Sequence, residues 1–238
     1  MVYMPELRIC HGPYRGKECP VCGKPGKILM NEREVDEVSR TLAAILRHDP
    51  ERYHIRLDSH GYARISSIVS VLRKFKGMRW ITFDHIVDLA ETDPKGRYQV
   101  SGVLIRAVYG HTIPVDLSDL PEDNIPDTLY YQSSAAEAPL VKEAGIYPSD
   151  KSWIHLSGTY RRSYVSGLYH IDDPFILKID ARAMIEDGHD IYRSNDDIYL
   201  TREIPPEYIS DAEKEEVTLT EEEKEDINRV RNKNNNRN

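Results

Sequence analysis

A change of hydrophobic rhythm near residue 113 constrains this chain more than any other feature. Before it, apolar side chains recur at helical spacing; after it, they fall in short runs rich in Tyr, Ile and Trp. DEVSRTLAAILRH at 36–48 sets Val38, Leu42, Ile45 and Leu46 on one helical face. RISSIVSVLRKFK at 64–76 repeats the pattern with Ile65, Ile68, Val69, Leu72 and Phe75. Thr82 is placed to cap a third helix, with Asp84 in its first turn and Ile86, Val87 and Leu89 forming its apolar face. RYQV and VLIRAV then meet around Ser101-Gly102 as a hairpin. Three helices followed by a hairpin is the order of a winged helix, drawn over residues 31–112. Pro114, Pro121 and Pro126 break regular structure in 113–127, which reads as a linker. From Thr128, TLYYQS, SWIHLSG, PFILKIDA and IYLTREI read as strands, with a short helix over 136–144 that stops at Gly145. The expected fold class is α+β, with a helical first lobe and a strand-rich second lobe over 128–210. Residues 211–238, acidic and then Asn-rich, contain no aromatic residue and read as a frayed helix and a disordered tail.

No run approaches the ~20 apolar residues that cross a bilayer, so no membrane is expected as a partner. MVYMPELRIC lacks the basic start and apolar stretch of a signal peptide, and a cytoplasmic setting is expected. The net charge of −8 conceals a division. Residues 1–110 carry 18 Lys and Arg against 13 Asp and Glu, whereas residues 111–210 carry 8 against 18. A basic front half permits local contact with a polyanion, although on charge alone ordinary surface charge is the favoured reading.

All three cysteines lie in residues 1–30, which read as a small appended module. ICHGPYRGKECPVCG supplies Cys10, Cys19 and Cys22, with CPVCG in the form of a knuckle. A structural zinc needs four N or S ligands in a tetrahedron. His11 is the nearest fourth ligand, and His54 or His60 could substitute. A redox pair lacks the surrounding strand and helix, and three free thiols is the plain alternative. A closed site of this kind has no chemical role.

Among the basic residues, Arg47 and His48 close the first helix, Arg106 sits inside the apolar run VLIRAV, and Lys151 precedes SWIHLS. Each alone reads as a solvated side chain or a salt-bridge partner. Together, converging cations would suit a phosphate dianion, and a neighbouring imidazole could bind it or move a proton.

SRTLAAILRH, GYARISSIV, KGRYQVSGVLIRAVYGHT, LYYQS, AGIYPSDKSWIHLS and FILKIDARAMIEDGHDIYRSNDDIYLTREIPPEYI together resemble the RNA 2'-phosphotransferases of tRNA splicing. The resemblance runs in order over residues 36–209, and the N-terminal cysteines look like those of archaeal members. It implies a winged-helix RNA-binding lobe beside a lobe with the ADP-ribosyltransferase fold, with substrates meeting in the cleft. It implies a monomeric enzyme that consumes NAD. The internal 2'-phosphate of spliced tRNA passes to ADP-ribose, leaving 2'-hydroxyl RNA, ADP-ribose 1'',2''-cyclic phosphate and nicotinamide. Carried over by motif, the catalytic residues are Arg47, His48, Arg106 and Lys151, and the NAD site takes His111, Thr112, Tyr131, Gln132, Ser133 and His155. The chain departs from the family pattern in four places. Lys151 stands where the family has arginine, Tyr131 and Gln132 replace histidine and glycine, and Trp153 replaces a histidine. Tyr131 and Trp153 read equally as core filling. Two rival readings remain: ADP-ribosylation of terminal phosphates of RNA or DNA, and nucleic-acid binding without catalysis.

Overall fold

A computed structural model describes residues 5–148 and 153–235. The chain divides between Asp116 and Leu117 into two compact units. Among the described residues it is a mixed α and β structure with three antiparallel sheets.

The first unit opens with β1 (Leu7–Ile9), β2 (Pro13–Arg15) and β3 (Lys27–Met30), in the order β2-β1-β3. Strands this short cannot display alternation, so the sequence carried no strand signal here. The module shares a core with the helices, since Leu7 and Met30 are fully buried within it. Arg15 adds a polar tie, donating from Nε to Thr92 Oγ1 at 2.8 Å and from Nη2 to Leu89 O at 3.1 Å.

α1 (Glu32–Ala43) starts four residues earlier than the apolar pattern suggests. The reason is a capping box: Asn31 Oδ1 accepts from Glu34 N and Glu34 Oε2 accepts from Asn31 N. The helix then widens into one π turn, Ala44–His48, before Pro50. β4 (Ala63–Arg64) leads into α2 (Ile65–Leu72), and α3 (Phe83–Glu91) starts at the expected Thr82 cap. α2 ends at Leu72, short of the expected 76, because the backbone turns there towards Gly77. β5 (Tyr98–Ser101) and β6 (Leu104–Ala107) form the hairpin, and the sheet order is β4-β6-β5. Val35, Leu42, Ile65, Ile68, Ile86 and Leu89 face one another with no more than trace exposure, which fixes the three helices against the hairpin.

The second unit is built on six antiparallel strands in the order β10-β11-β8-β7-β9-β12. These are β7 (Thr128–Ser133), β8 (Ile154–Ser157), β9 (Phe175–Asp180), β10 (Tyr192–Arg193), β11 (Ile198–Thr201) and β12 (Ile209–Asp211). Four helices accompany them: α4 (Ala138–Ala144), α5 (Tyr160–Gly167), α6 (Ala181–Glu186) and α7 (Glu221–Asn235). Leu129, Ile154, Leu156, Leu177 and Ile179 cover one face with Met184. α5 lies on the opposite face. There a Cβ at Gly167 would fall 2.7 Å from Pro174 Cβ and 3.1 Å from Gln132 Cβ, so only glycine permits this approach.

α7 is docked within the second unit, whereas residues 236–238 of the expected Asn-rich tail lie outside the described residues. Ile227 and Asp226 are buried, and Arg231 donates to Leu168 O, Ile171 O and Asp172 Oδ1. Arg161 pairs with Glu223 at 2.7 Å. Hydropathy cannot register a helix docked mainly through guanidinium contacts. Among the described residues no helix is long and apolar enough to cross a membrane.

Candidate functional site

The π turn creates the first constellation. Asp49 N–H reaches back five residues to Ala44 O at 2.9 Å, while Ile45 and Leu46 are fully buried and pin the turn. Arg47 and His48 are thereby projected beside the segment that follows β6. Thr112 N–H donates to Arg47 O at 2.9 Å, and His48 Nδ1 lies 3.1 Å from Thr112 Oγ1. Gly110, at φ +79°, lets this backbone come close: a Cβ there would sit 3.1 Å from Arg47 Nη1 and 3.2 Å from Cζ. The Arg47 guanidinium stacks on Tyr109 at 4.7 Å. Its Nε and Nη2 are buried and have no hydrogen-bond partner among the described residues.

Arg106 lies on the face of β6 opposite the core residues Ile105 and Ala107 and is 1% exposed. Nε donates to Gln99 Oε1, its cross-strand partner, at 2.8 Å, and Nη1 donates to His60 O at 3.3 Å. The guanidinium stacks on Tyr62 at 4.5 Å. Nearby, His111 is buried with neither ring nitrogen partnered. Burial first, then the charges of Arg47, His48 and Arg106, push its imidazole down to about 4. Thr112 bonds to both Arg47 and His48, and Arg106 bonds to His60 O next to Gly61, where a Cβ would sit 3.7 Å from His111 Nε2, so the structure brings Arg47, His48, Arg106, His111 and Thr112 together. His48 is lowered too, by burial and then by Arg47.

A pH dependence follows. An unfolded histidine titrates near ~6.5, so between that value and about 4 the unfolded chain binds a proton that folded His111 refuses. Stability from this group is complete above pH ~6.5 and falls by about 3 kcal/mol on acidification to pH ~4. Urea unfolding at several pH values should show that loss in the parent and a flatter profile in His111→Asn. Identical profiles would contradict it.

The second constellation lies on β7 and β8 of the second unit. Alternation divides Tyr131-Gln132-Ser133 between two faces. Tyr131 packs against the hydrophobic core, and burial, then Glu137, raises its phenol above the usual range. Ser133 shares that face, buried, with Oγ unpartnered. Gln132 faces α5, where Ser163 Oγ donates to its Oε1 at 3.5 Å. β7 and β8 pair through Tyr130 and Ser157, and half-buried His155 alternates with core residues Ile154 and Leu156. His155 therefore belongs to Gln132's face rather than Tyr131's. Trp153 is a packing residue, edge-on to Tyr192 at 5.5 Å and 3.7 Å beneath the Arg202 guanidinium. Lys151 lies outside the described residues.

The cysteine module could hold a metal. The ligand atoms of Cys10, His11, Cys19 and Cys22 lie within 4.8 Å of one another. Cys10 Sγ is 3.8 Å from Cys22 Sγ, and His11 Nδ1 is 3.4 Å from Cys10 Sγ and 3.6 Å from Cys19 Sγ. A tetrahedron with ~2.3 Å Zn–S and ~2.0–2.1 Å Zn–N bonds has edges of about 3.8 Å and about 3.5 Å. His11 is the fourth member of this cluster, and His54 and His60 are not part of it.

Sequence reasoning missed the supports of the cations: Tyr109 and Gly110 for Arg47, Tyr62 and Gln99 for Arg106. The glycine before His111 in VYGHT was the one available signal.

Residues 32–203 match the family described as RNA 2'-phosphotransferase, Tpt1 / KptA family. The chain is 90% identical over 231 residues to a Thermoplasma acidophilum protein named "Probable RNA 2'-phosphotransferase", covering 97% of this chain and 98% of that one. A Thermoplasma volcanium protein of the same name is 80% identical, with 98% and 100% coverage. "Probable RNA 2'-phosphotransferase 1" of Archaeoglobus fulgidus is 38% identical, with 87% and 94% coverage.

Proposed function

The chain belongs to the RNA 2'-phosphotransferase, Tpt1 / KptA, family, a family of transferases, and from that premise we propose that it transfers the internal 2'-phosphate of a spliced RNA, tRNA above all, to the ADP-ribose of NAD. The observation that carries this reading is the half-buried Arg47 guanidinium, with two nitrogens that have no acceptor. Leaving such donors unpaired costs free energy that no protein group repays, and a phosphate dianion supplies charge-assisted acceptors in fork geometry.

In this reading Arg47, His48 and Arg106 hold the 2'-phosphate in a winged-helix lobe, with Lys151 as a third cation beside the two arginines. Arg106 arrives oriented, because Gln99, His60 O and Tyr62 fix its plane. His111, kept neutral by its surroundings, can donate or accept a single hydrogen bond without adding charge. The second lobe, of ADP-ribosyltransferase type, takes the dinucleotide. Gln132 and half-buried His155 share one face of the sheet and offer it polar groups there. NAD, consumed as second substrate, supplies the electrophilic anomeric carbon and later the 2''-hydroxyl. A phosphate oxygen forms a bond to that carbon as nicotinamide leaves. In the second step the hydroxyl attacks phosphorus and the RNA 2'-oxygen departs with a proton. Charge accumulates on the phosphate oxygens in that second step, which the Arg47, His48 and Arg106 cluster is placed to stabilise.

The replacement of the family arginine by Lys151 favours a second reading, arrest after the first step, because lysine cannot form the bidentate fork. Incubation with NAD and a 2'-phosphorylated oligoribonucleotide separates the readings. Free 2'-hydroxyl RNA with cyclic-phosphate product is expected. Accumulated ADP-ribosylated RNA would establish the second reading, and unchanged RNA would leave nucleic-acid binding alone.

For the cysteine module the reading is a structural zinc, outside the chemistry. One zinc per chain is expected by elemental analysis of native protein. Cys19→Ser should lose it and lower the melting temperature, and full metal content in that variant would refute the ligand set.

A further inference from the structure

A groove of about 530 Å³ opens in the first unit between the loop at 54–58 and the start of α2, lined by His54, Arg56, Asp58, Tyr62, Arg64 and Ser67. We infer that it carries the single-stranded RNA that flanks the 2'-phosphate, gripping its backbone independently of sequence. This rests on the proposed function for the identity of the substrate, though not for the binding itself.

Charge supports the assignment. Arg56 and Arg64 are exposed, and neither side chain has an ion-pair or hydrogen-bond partner among the described residues. The one carboxylate of the groove, Asp58, is engaged in its own turn, accepting from His60 N at 3.0 Å and Tyr62 N at 2.8 Å. The first turn of α2, with Arg64 as an N-cap that provides no side-chain bond, adds partial positive charge. The volume lies within the range of sites that take one small ligand such as a nucleotide.

Continuity supports it as well. Tyr62 is wall to the groove and platform to Arg106: its ring stacks on that guanidinium at 4.5 Å, and its hydroxyl donates to Gln99 Oε1 at 3.0 Å. Leu104, also in the wall, shares a face of β6 with Arg106. A chain whose 2'-phosphate meets Arg106 therefore has a neighbouring nucleotide at Tyr62 and further phosphates within reach of Arg64 and Arg56. An acidic protein would need only the charge and would have no reason to approach Arg106.

The test is the double charge reversal R56E/R64E in the full chain. Binding of a labelled 20-mer RNA without any 2'-phosphate, followed by anisotropy, should weaken about tenfold or more, and its log–log salt slope should fall by about 1.4, the value for two lost single-strand phosphate contacts. This arm holds whether or not the enzyme turns over. In the activity arm, KM for a 2'-phosphorylated 20-mer should rise while a 2'-phosphorylated dinucleotide reacts as with the parent. Unchanged RNA affinity would overturn the inference. So would equal losses on both substrates, which would place the arginines at the phosphate itself or in folding. Displacement of the RNA by poly-glutamate at matched charge would assign the groove to an acidic protein.

Discussion

Arg47→Ala should abolish 2'-phosphate removal without unfolding the protein. The loss expected from removing one preorganised donor at a developing charge is about 10²–10³-fold in kcat. The free protein should be no less stable than the parent, because two of the three guanidinium nitrogens are buried without acceptors and their removal relieves a desolvation cost. What the variant forfeits in the free state is the stack on Tyr109, a contact of about 1 kcal/mol. His111 provides an independent readout. Arg47 depresses its titration, so in the variant the ring should titrate higher by NMR. Arg47→Lys should recover binding more than rate, because the charge returns but the fork does not. Parental turnover in Arg47→Ala would remove the site assignment.

Asp93→Ala should cost about 3–5 kcal/mol of stability in urea, the penalty for stranding one member of a buried pair. The Asp93 side chain is 0% exposed and that of Arg97 13%. Asp93 accepts from Arg97 N at 2.8 Å, Nε at 2.9 Å and Nη2 at 2.6 Å, and it also acts on the positive charge of Arg15. Burial alone would raise its carboxyl, but the hydrogen bonds from Arg97 hold it below the usual range. Without it, a nearly buried guanidinium loses its counterion where α3 meets β5. Arg97→Met in the same chain should restore part of the loss, since an apolar pair tolerates burial better than a lone charge. A cost below about 1 kcal/mol would mean that water reaches this pair as it reaches surface pairs.

The helices and hairpin of the first unit were legible because each obeys a local rule. Thr82 announces α3, Gly102 closes the hairpin at φ +58°, and periodic apolar residues mark the buried faces. The strands of the second unit were legible for the same reason. What escaped depends on partners distant along the chain. β1 and β3 are strands by virtue of each other, and α7 is held by carbonyls at Leu168 and Ile171. Of the site, Arg106 could be singled out as a charge inside an apolar strand, but no local pattern shows that Arg47 meets His111. The motif places residues 131–133 together at a dinucleotide site, with core filling an equal reading for Tyr131, and no one-dimensional pattern shows that the strand sends Gln132 to the other side. That distribution leaves Tyr131 packed against the core, the second of its two readings.

The π turn at Ala44–His48 makes the chemistry depend on arithmetic as well as on residue identity. Each residue advances a helix by about 100°, since ~3.6 residues complete a turn. Deleting one codon within this stretch would regularise the backbone and swing the guanidinium and imidazole round the axis, although both would still be encoded. Homologous sequences should therefore preserve the length of this segment as strictly as its lettering.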